Sequence, residues 1–399
     1  MATYLILNSI FLAVVLALVI LFLKLPKLNK RVWIFTTLLL LTLTVIFDSL
    51  IIKLNIVGYD SSKISGIFLG KAPIEDFFYT LLAILLIPAL WKFFDKDRTQ
   101  GIRKRTLSLA SKLKSLFWVS RPVSWLNTAY PFAAGYLVIN REVSATLVVG
   151  SIFFLVPYNL LMYGINDVFD YESDILNPRK GGIEGMREQR KFHPTIIKAS
   201  ILSCLPFVIF LFTKGSLGSN LTLSLVIFMV IAYSAKYLRF KEIPVLDSIT
   251  SSSHFVGPLV YALILSGFNN SALPFIVAFF LWGMASHAFG AVQDILPDRS
   301  ARISSIATYF GARKTVSLSI LLYSISALIL VLQNNASSLV IALTTLLYIL
   351  NIFKFRNVSD KDSEKTNMAW RRFIWLNMFS GFVVTLVLII NAYKHLGSI

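Results

Sequence analysis

Long apolar runs recur along the chain, each closed by a short polar or basic segment. "YLILNSIFLAVVLALVILFL", "VWIFTTLLLLTLTVIF" and "VSLSILLYSISALILVL" are three of them. About 20 apolar residues carry a helix across the hydrocarbon layer, and the runs lack the two-residue alternation of barrel strands. Hydropathy predicts about twelve spans, starting near residues 4, 33, 77, 124, 146, 197, 221, 246, 273, 315, 338 and 374. The expected fold is all-α, a polytopic membrane helical bundle. Its longest charged connection, 92–120, divides the pattern into a three-span unit over 1–96, a basic linker over 97–120 and a nine-span unit over 121–399. The first run has no preceding charge and no small-residue cleavage site before "KLPKLNKR", so it reads as a retained span.

Composition agrees, with 56% hydrophobic and 15% charged residues. The net charge of +18 raises a nucleic-acid reading. Its distribution favours topology instead. Lys and Arg crowd alternate connections such as "KLPKLNKR", "KYLRFKE" and "KFRNVSDKDSEKTNMAWRR". The connections between them, "NREVS", "SGFNNSA" and "QNNASS", carry almost none. That is the positive-inside pattern, and it predicts an integral, multi-pass cell-membrane protein with no nucleic-acid partner. A single cysteine, Cys204, within an apolar run excludes a disulfide or a cysteine metal site, and four scattered His argue against zinc.

Against this background "NDVFDYESD", residues 166–174, is unexpected at the end of an apolar run. Asp167, Asp170 and Asp174 stand at i, i+3 and i+7, one helix face if the span continues through them. Asp294 and Asp298 in "QDILPD" form an i, i+4 pair. By the charge parity both clusters fall on the cytoplasmic side, at helix C-termini, where anions oppose the macrodipole. A cation should offset them. All-oxygen donors suit Mg²⁺, which is commonly held by a few carboxylates together with substrate phosphates. Arg179, Lys180, Arg239, Lys241, Arg299 and Arg302 follow in the same loops and could meet phosphate oxygens. A solvated interfacial loop explains one such cluster as well; two same-side clusters with accompanying cations favour a site.

These residues carry a resemblance. "NDVFDYESD" fits the N-D-x-x-D-x-x-x-D motif of the UbiA superfamily of intramembrane prenyltransferases, and "DILPD" looks like its second Asp-rich motif. "YSAKYLRFKEIP" and "RPVSW" resemble its Tyr-Ser-rich segment and its usual opening, with Lys236 where many members have proline. The likeness covers 121–399. It implies ionisation of an allylic diphosphate with Mg²⁺ and transfer of the prenyl group to a lipophilic acceptor. Asn166, Asp167, Asp170, Asp174, Asp294 and Asp298 would then hold metal, and Arg121, Arg179, Lys180, Arg239, Lys241 and Arg302 would bind diphosphate. "YESDILNPRKGGIEG" looks most like the lycopene elongase branch, which implies dimethylallyl diphosphate as donor and lycopene as acceptor, elongated to C45 and C50 products.

Residues 1–96 resemble the small lycopene cyclase domain of heterodimeric carotenoid cyclases, through "SKISGIFLGKAPIEDFFYTLLAILLIP" with Asp48 in the preceding span. The motif residues are Pro73, Glu75 and Asp76. Proline and acids also start helices favourably, so "APIED" alone reads as a capped helix. With the resemblance, Glu75, Asp76 and Asp48 become candidates for moving protons during ring closure, and a second cyclase-type subunit is implied. The combination is similar to bifunctional C50 carotenoid cyclase/elongase proteins. Other acceptors (a quinone precursor, a chlorin or an archaeal glycerol lipid) remain open for a UbiA-type enzyme. A transporter is disfavoured, because transporters place binding residues at the midplane on broken helices. By parity Glu75 and Asp76 lie opposite the Asp-rich clusters, unless residues 55–75 re-enter.

Overall fold

A computed structural model describes residues 3–20, 29–53, 57–95, 109–176 and 188–396. The chain separates into two compact units, one ending at Thr106 and one starting at Leu107. A helix begins within four residues of every predicted span. Among the described residues, nine helical segments are long and apolar enough to cross a membrane. The fold is a helical membrane bundle.

The first unit contains α1 (Thr3–Leu18), α2 (Lys30–Lys53), a two-stranded hairpin of β1 (Phe68–Leu69) and β2 (Ala72–Pro73), and α3 (Phe77–Asp95). Both α1 and α2 pack on α3. Thr44 and Thr80 hydroxyls meet at 2.8 Å between α2 and α3, satisfying each other away from water. The hairpin turns at Gly70, φ +68°, and the Lys71 N–H donates to Ser49 Oγ of α2 at 3.0 Å. Pro73 has φ −67° and leads into a turn of 3₁₀ helix over Ile74–Asp76. That turn starts α3.

The second unit begins earlier than a linker ending at residue 120 allows. Residues Leu109–Val119 form α4, and Val119 is buried with Leu160, Phe192 and Ile196. The unit continues with α5 (Trp125–Asn140), α6 (Ala145–Leu155), α7 (Pro157–Phe169), α8 (Tyr171–Leu176), α9 (His193–Lys214), α10 (Leu217–Ser234) and α11 (Leu246–Ser266). Then come α12 (Leu273–Val292), α13 (Ile295–Ser300), α14 (Ile306–Phe310), α15 (Ala312–Val331), α16 (Ala336–Phe353), α17 (Asn367–Trp370) and α18 (Phe373–Leu396). One core is built by α5–α7 and α9–α11 around Phe132, Phe154, Tyr158 and Tyr261; a second is built by α12–α18 around Phe289, Tyr323, Tyr348 and Phe373.

Helix contacts are made by small residues and hydroxyls, as expected where lipid offers no hydrophobic drive. A Cβ on Gly135 of α5 would lie 2.8 Å from Leu259 Cδ1 of α11, and one on Gly283 of α12 would lie 2.3 Å from Ser252 Oγ. Ser252 Oγ in turn donates to the Phe280 carbonyl at 2.7 Å. The α6–α7 span is interrupted at Val156–Pro157, where proline supplies no N–H and frees carbonyls of the preceding turn. Asn159 Nδ2 donates to the Phe154 and Leu155 carbonyls at 2.8 and 3.1 Å, and Thr128 Oγ1 reaches Phe154 O at 2.7 Å. Side chains thus brace the Phe154 and Leu155 carbonyls at the break before α7 runs on to the acidic motif.

Candidate active site

The helix does not continue through the first Asp cluster. It ends at Phe169, Asp170 takes φ −99° and ψ 2°, and α8 starts at Tyr171. Asp167, Asp170 and Asp174 thus do not share one continuous helix face. Three carboxylates stacked on the C-terminal turn would oppose both the macrodipole and one another, and the break removes that arrangement. The second cluster is displaced similarly. α12 ends at Val292, and Asp294 is the N-cap residue of α13, with Asp298 inside it.

Cations are brought to the first cluster by strained backbone. Arg121, at φ +50°, places Nη2 2.7 Å from Asp167 Oδ1 and stacks its guanidinium 4.1 Å over the Tyr163 ring. The loop after α10 carries Tyr237, Arg239 and Val245 at φ +77°, +43° and +74°. Such values are costly for side chains with a Cβ, above all for valine. This loop puts Lys241 Nζ on Asp170 Oδ2 and Arg239 Nη2 3.5 Å from Asp170 Oδ1. Arg239 also binds Glu242, and that hydrogen bond holds the Glu242 carboxyl below its ordinary value. Asn166 Nδ2 donates to Asp170 Oδ2 at 2.6 Å and to Ser234 Oγ at 3.0 Å.

Both clusters open onto one cavity of about 1900 Å³ within the second unit. Asn166, Asp170 and Lys241 line it from one side, and Asp294 and Asp298 from the other. Arg121, Tyr163, Tyr233, Asp247 and His287 complete a polar region, whereas Tyr130, Phe275, Phe279, Trp282 and Leu388 belong to a long apolar wall. Pockets for drug-sized ligands run to about 1000 Å³, so this one has room for a small polar head and a long hydrocarbon together.

The remaining candidates separate. Asp167, 3% exposed, is sealed against Arg121 rather than forming part of the cavity wall. Arg302 sits exposed in the turn after α13 at φ +57°, outside the lining. Arg299 turns to Asp360 at 2.7 Å and to the Thr308 carbonyl at 3.2 Å. Asp360 accepts the Ala312 N–H at 2.6 Å, which caps α15 and lowers its own pKa. Arg179, Lys180 and the side chain of Asp174 lie outside the described residues. Sequence reasoning missed Asp247 and His287, although acids and histidines inside apolar runs are functional candidates by default, and it gave no role to Tyr233, which opens the segment "YSAKYLRFKEIP".

Among the described residues, no three His, Cys, Asp or Glu side chains lie close enough to hold a metal by themselves. The donors that face the cavity are nonetheless hard oxygens from Asn166, Asp170, Asp294 and Asp298. Such a partial set suits Mg²⁺, which keeps waters or takes phosphate oxygens rather than occupying an all-protein cage.

The acids of the first unit form their own cluster. Glu75 is 2% exposed; its Oε1 accepts the Ser65 N–H at 2.5 Å, and its Oε2 has no hydrogen-bond partner. Tyr59 OH donates to both oxygens of Asp76, at 2.7 and 2.8 Å. Burial raises the Asp76 carboxyl above its ordinary value, against the Tyr59 hydrogen bond, and Asp48 and Glu75 add like charge. Asp48 accepts from Tyr79 OH at 2.5 Å. Asp60 sits exposed with Lys63 at 3.3 Å.

Comparison with known proteins matches the UbiA prenyltransferase family over residues 128–377 and lycopene cyclase over 2–94. The C(50) beta-cyclic carotenoids biosynthesis protein LbtBC of Dietzia sp. (strain CQ4) is 41% identical over 88% of each chain. A lycopene elongase/hydratase of Corynebacterium glutamicum is 47% identical over 70% of this chain and 98% of its own. A solved structure described as giving insights into the biosynthesis of digeranylgeranylglyceryl phosphate synthase in membranes superposes with a TM-score of 0.52. It is 14% identical, over 71% of this chain and 99% of that one, and shares the fold.

Proposed function

This chain belongs to the UbiA prenyltransferase family, and on that premise we propose that it transfers dimethylallyl groups from dimethylallyl diphosphate to lycopene. The observation that carries this reading is the convergence of Asn166 and Asp170 with Asp294 and Asp298 on one cavity whose other wall is aromatic and aliphatic. The names of the Dietzia and Corynebacterium relatives support the carotenoid acceptor.

Asp170, Asp294, Asp298 and Asn166 would hold Mg²⁺, which when bound supplies Lewis-acid stabilisation of the departing diphosphate. Lys241, now on Asp170, is placed to follow negative charge onto the diphosphate as a point charge. Arg121 pairs with Asp167 and positions the α7 terminus through its stack on Tyr163. Trp282, Phe279 and Phe275 line the cavity, where they would shield the reacting carbons from water and offer aromatic surface to developing positive charge. The positive-inside pattern supports a cytoplasmic mouth, from which a water-soluble donor enters.

For the first unit we read ring closure of the elongated polyene, with Glu75, Asp76 and Asp48 moving protons. The unpartnered, buried Glu75 oxygen is the acceptor best placed to take one. A second cyclase-type subunit is part of this reading. The test is incubation of the full chain in lipid vesicles with Mg²⁺, dimethylallyl diphosphate and lycopene, followed by pigment mass analysis. Products heavier by one and two five-carbon units are expected. Unchanged lycopene with intact diphosphate would remove the assignment.

A further inference from the structure

One imidazole on the cavity wall is held by side chains from two neighbouring helices. His287 stands five residues before the end of α12 at Val292, so at about 1.5 Å per residue it lies roughly 8 Å deeper than that end. Ser248 Oγ of α11 is 3.0 Å from its Nδ1, and Tyr233 OH of α10 is 3.1 Å from its Nε2. Ser248 is fixed in turn by Asp247, a fully buried carboxylate. Asp247 Oδ1 accepts the Ser248 N–H at 2.6 Å, and Oδ2 accepts the Ile306 N–H at 2.7 Å. Three helices and the start of α14 therefore hold one imidazole in place. Histidine 254, by contrast, is buried with Nε2 3.3 Å from the Met229 carbonyl and does not line the cavity. It behaves as a satisfied core histidine; His287 and Tyr233 face the open space.

We propose that Tyr233 and His287 form the proton relay that completes prenyl transfer. The inference rests on the elongation reading above and assigns its last step. When the C1–O bond of the donor breaks, its electron pair leaves with diphosphate. The terminal double bond of the polyene supplies the pair for the new C–C bond, which leaves a tertiary carbocation on the acceptor. An adjacent C–H bond then gives its pair to a new double bond. Its proton passes to the Tyr233 oxygen while the phenolic proton moves to His287 Nε2, and Nδ1–H is held by Ser248. The imidazolium later returns the proton to solvent through the polar mouth.

Depth and chemistry agree with this role. A diphosphate held at the Asp-rich motifs and two or three carbons beyond it span a distance of the order that separates the end of α12 from His287. The cation is acidic enough that a neutral phenol–imidazole pair suffices as base, and the carboxylates nearer the mouth are committed to the diphosphate end. Without the relay, the same cation is left to water, which yields an alcohol instead of an alkene.

The experiment uses the full chain in lipid vesicles with dimethylallyl diphosphate, lycopene and Mg²⁺, comparing wild type with Tyr233→Phe and His287→Gln. Diphosphate release and the ratio of alkene to alcohol products are read together. Both variants are expected to release diphosphate, to shift the ratio towards alcohol by about tenfold or more, and to form less elongated alkene. A structural role would lower all outputs in proportion and leave the ratio alone. If His287→Gln fails to accumulate, Tyr233→Phe decides, since it removes only one hydroxyl. An unchanged ratio in Tyr233→Phe, beside an active wild type, overturns the relay. A wild type that releases no diphosphate overturns the parent reading and the relay with it.

Discussion

Asp170→Asn exchanges one oxygen for an amide and removes one negative charge at the break between α7 and α8. In the wild type this carboxylate is 3% exposed and faces the Lys241 ammonium, the Arg239 guanidinium at 3.5 Å and the Asn166 amide at 2.6 Å. Removing one partner of a fully buried pair costs about 3–5 kcal/mol. Here Lys241 borders the cavity and Arg239 keeps Glu242. Both cations can rehydrate in part, so a loss of about 1–2 kcal/mol is expected. That leaves most molecules folded if native stability is ordinary, about 5 kcal/mol or more. The catalytic effect is larger, because a ligand to the ion that stabilises departing charge is gone; a rate loss of about 10²- to 10³-fold follows. Diphosphate release in membranes of matched protein content, titrated with Mg²⁺, is the assay. Lys241→Met breaks the same pair from the other side and matches the stability loss. It should raise the donor KM without raising the Mg²⁺ requirement, whereas Asp170→Asn should raise that requirement. Turnover of Asp170→Asn within about threefold of wild type at every Mg²⁺ concentration would refute the site.

Three further outcomes are expected. Glu75→Gln should abolish ring formation and spare elongation, read by absorption and mass of pigments in lycopene-making cells that also carry a cyclase-type partner; equal loss of both would tie Glu75 to prenyl transfer. The Glu242 and Asp360 carboxyls are lowered by Arg239 and by the Ala312 N–H, so each stabilises the fold above its ordinary pKa and loses that contribution as pH falls through the depressed value. Hydrogen exchange over 235–245 and 354–366 should therefore accelerate on acidification below about pH 4, and Asp360→Asn should accelerate it at the α15 start already at neutral pH. Cysteines introduced at the exposed Glu142 and Lys361 should react with impermeant reagents from opposite faces, Lys361 from the cytoplasm, since the one native thiol, Cys204, is buried; labelling from one face would overturn the topology.

The helices were legible because each apolar run can satisfy its backbone only internally once in lipid. Loop charge then suggested their sense. The two acidic motifs were legible because carboxylates at helix ends demand a partner. What spacing alone could not supply was where those helices stop. The i, i+3, i+7 pattern of Asp167, Asp170 and Asp174 describes a face only while the helix lasts, and the helix ends at Phe169. The same limit applies to the cations. Arg299 and Arg302 follow the second motif closely in sequence, yet Arg299 is held by Asp360 and Arg302 lies outside the lining. Arg121, 46 residues before Asp167, supplies the direct pair, through a left-handed backbone that no periodicity reveals.

Ser248 and His287 were hidden for a different reason, and Tyr233, although it opens "YSAKYLRFKEIP", had no role legible there. Each belongs to a separate helix, and each stands within an apolar run that hydropathy treats as membrane filler. Their meaning lies in the close packing that lets hydroxyl and imidazole groups meet across helices. The contact between Gly283 and Ser252 brings α11 and α12 together one turn from Ser286 and His287. A residue larger than glycine at 283 would meet the Ser252 hydroxyl and push those helices apart, lengthening the 3.0 Å contact of Ser248 with His287 without touching any charged group. The acidic end of the cavity is thus specified by charge, which sequence displays openly. Its deeper end is specified by helix separation, which sequence carries only in the placement of small residues.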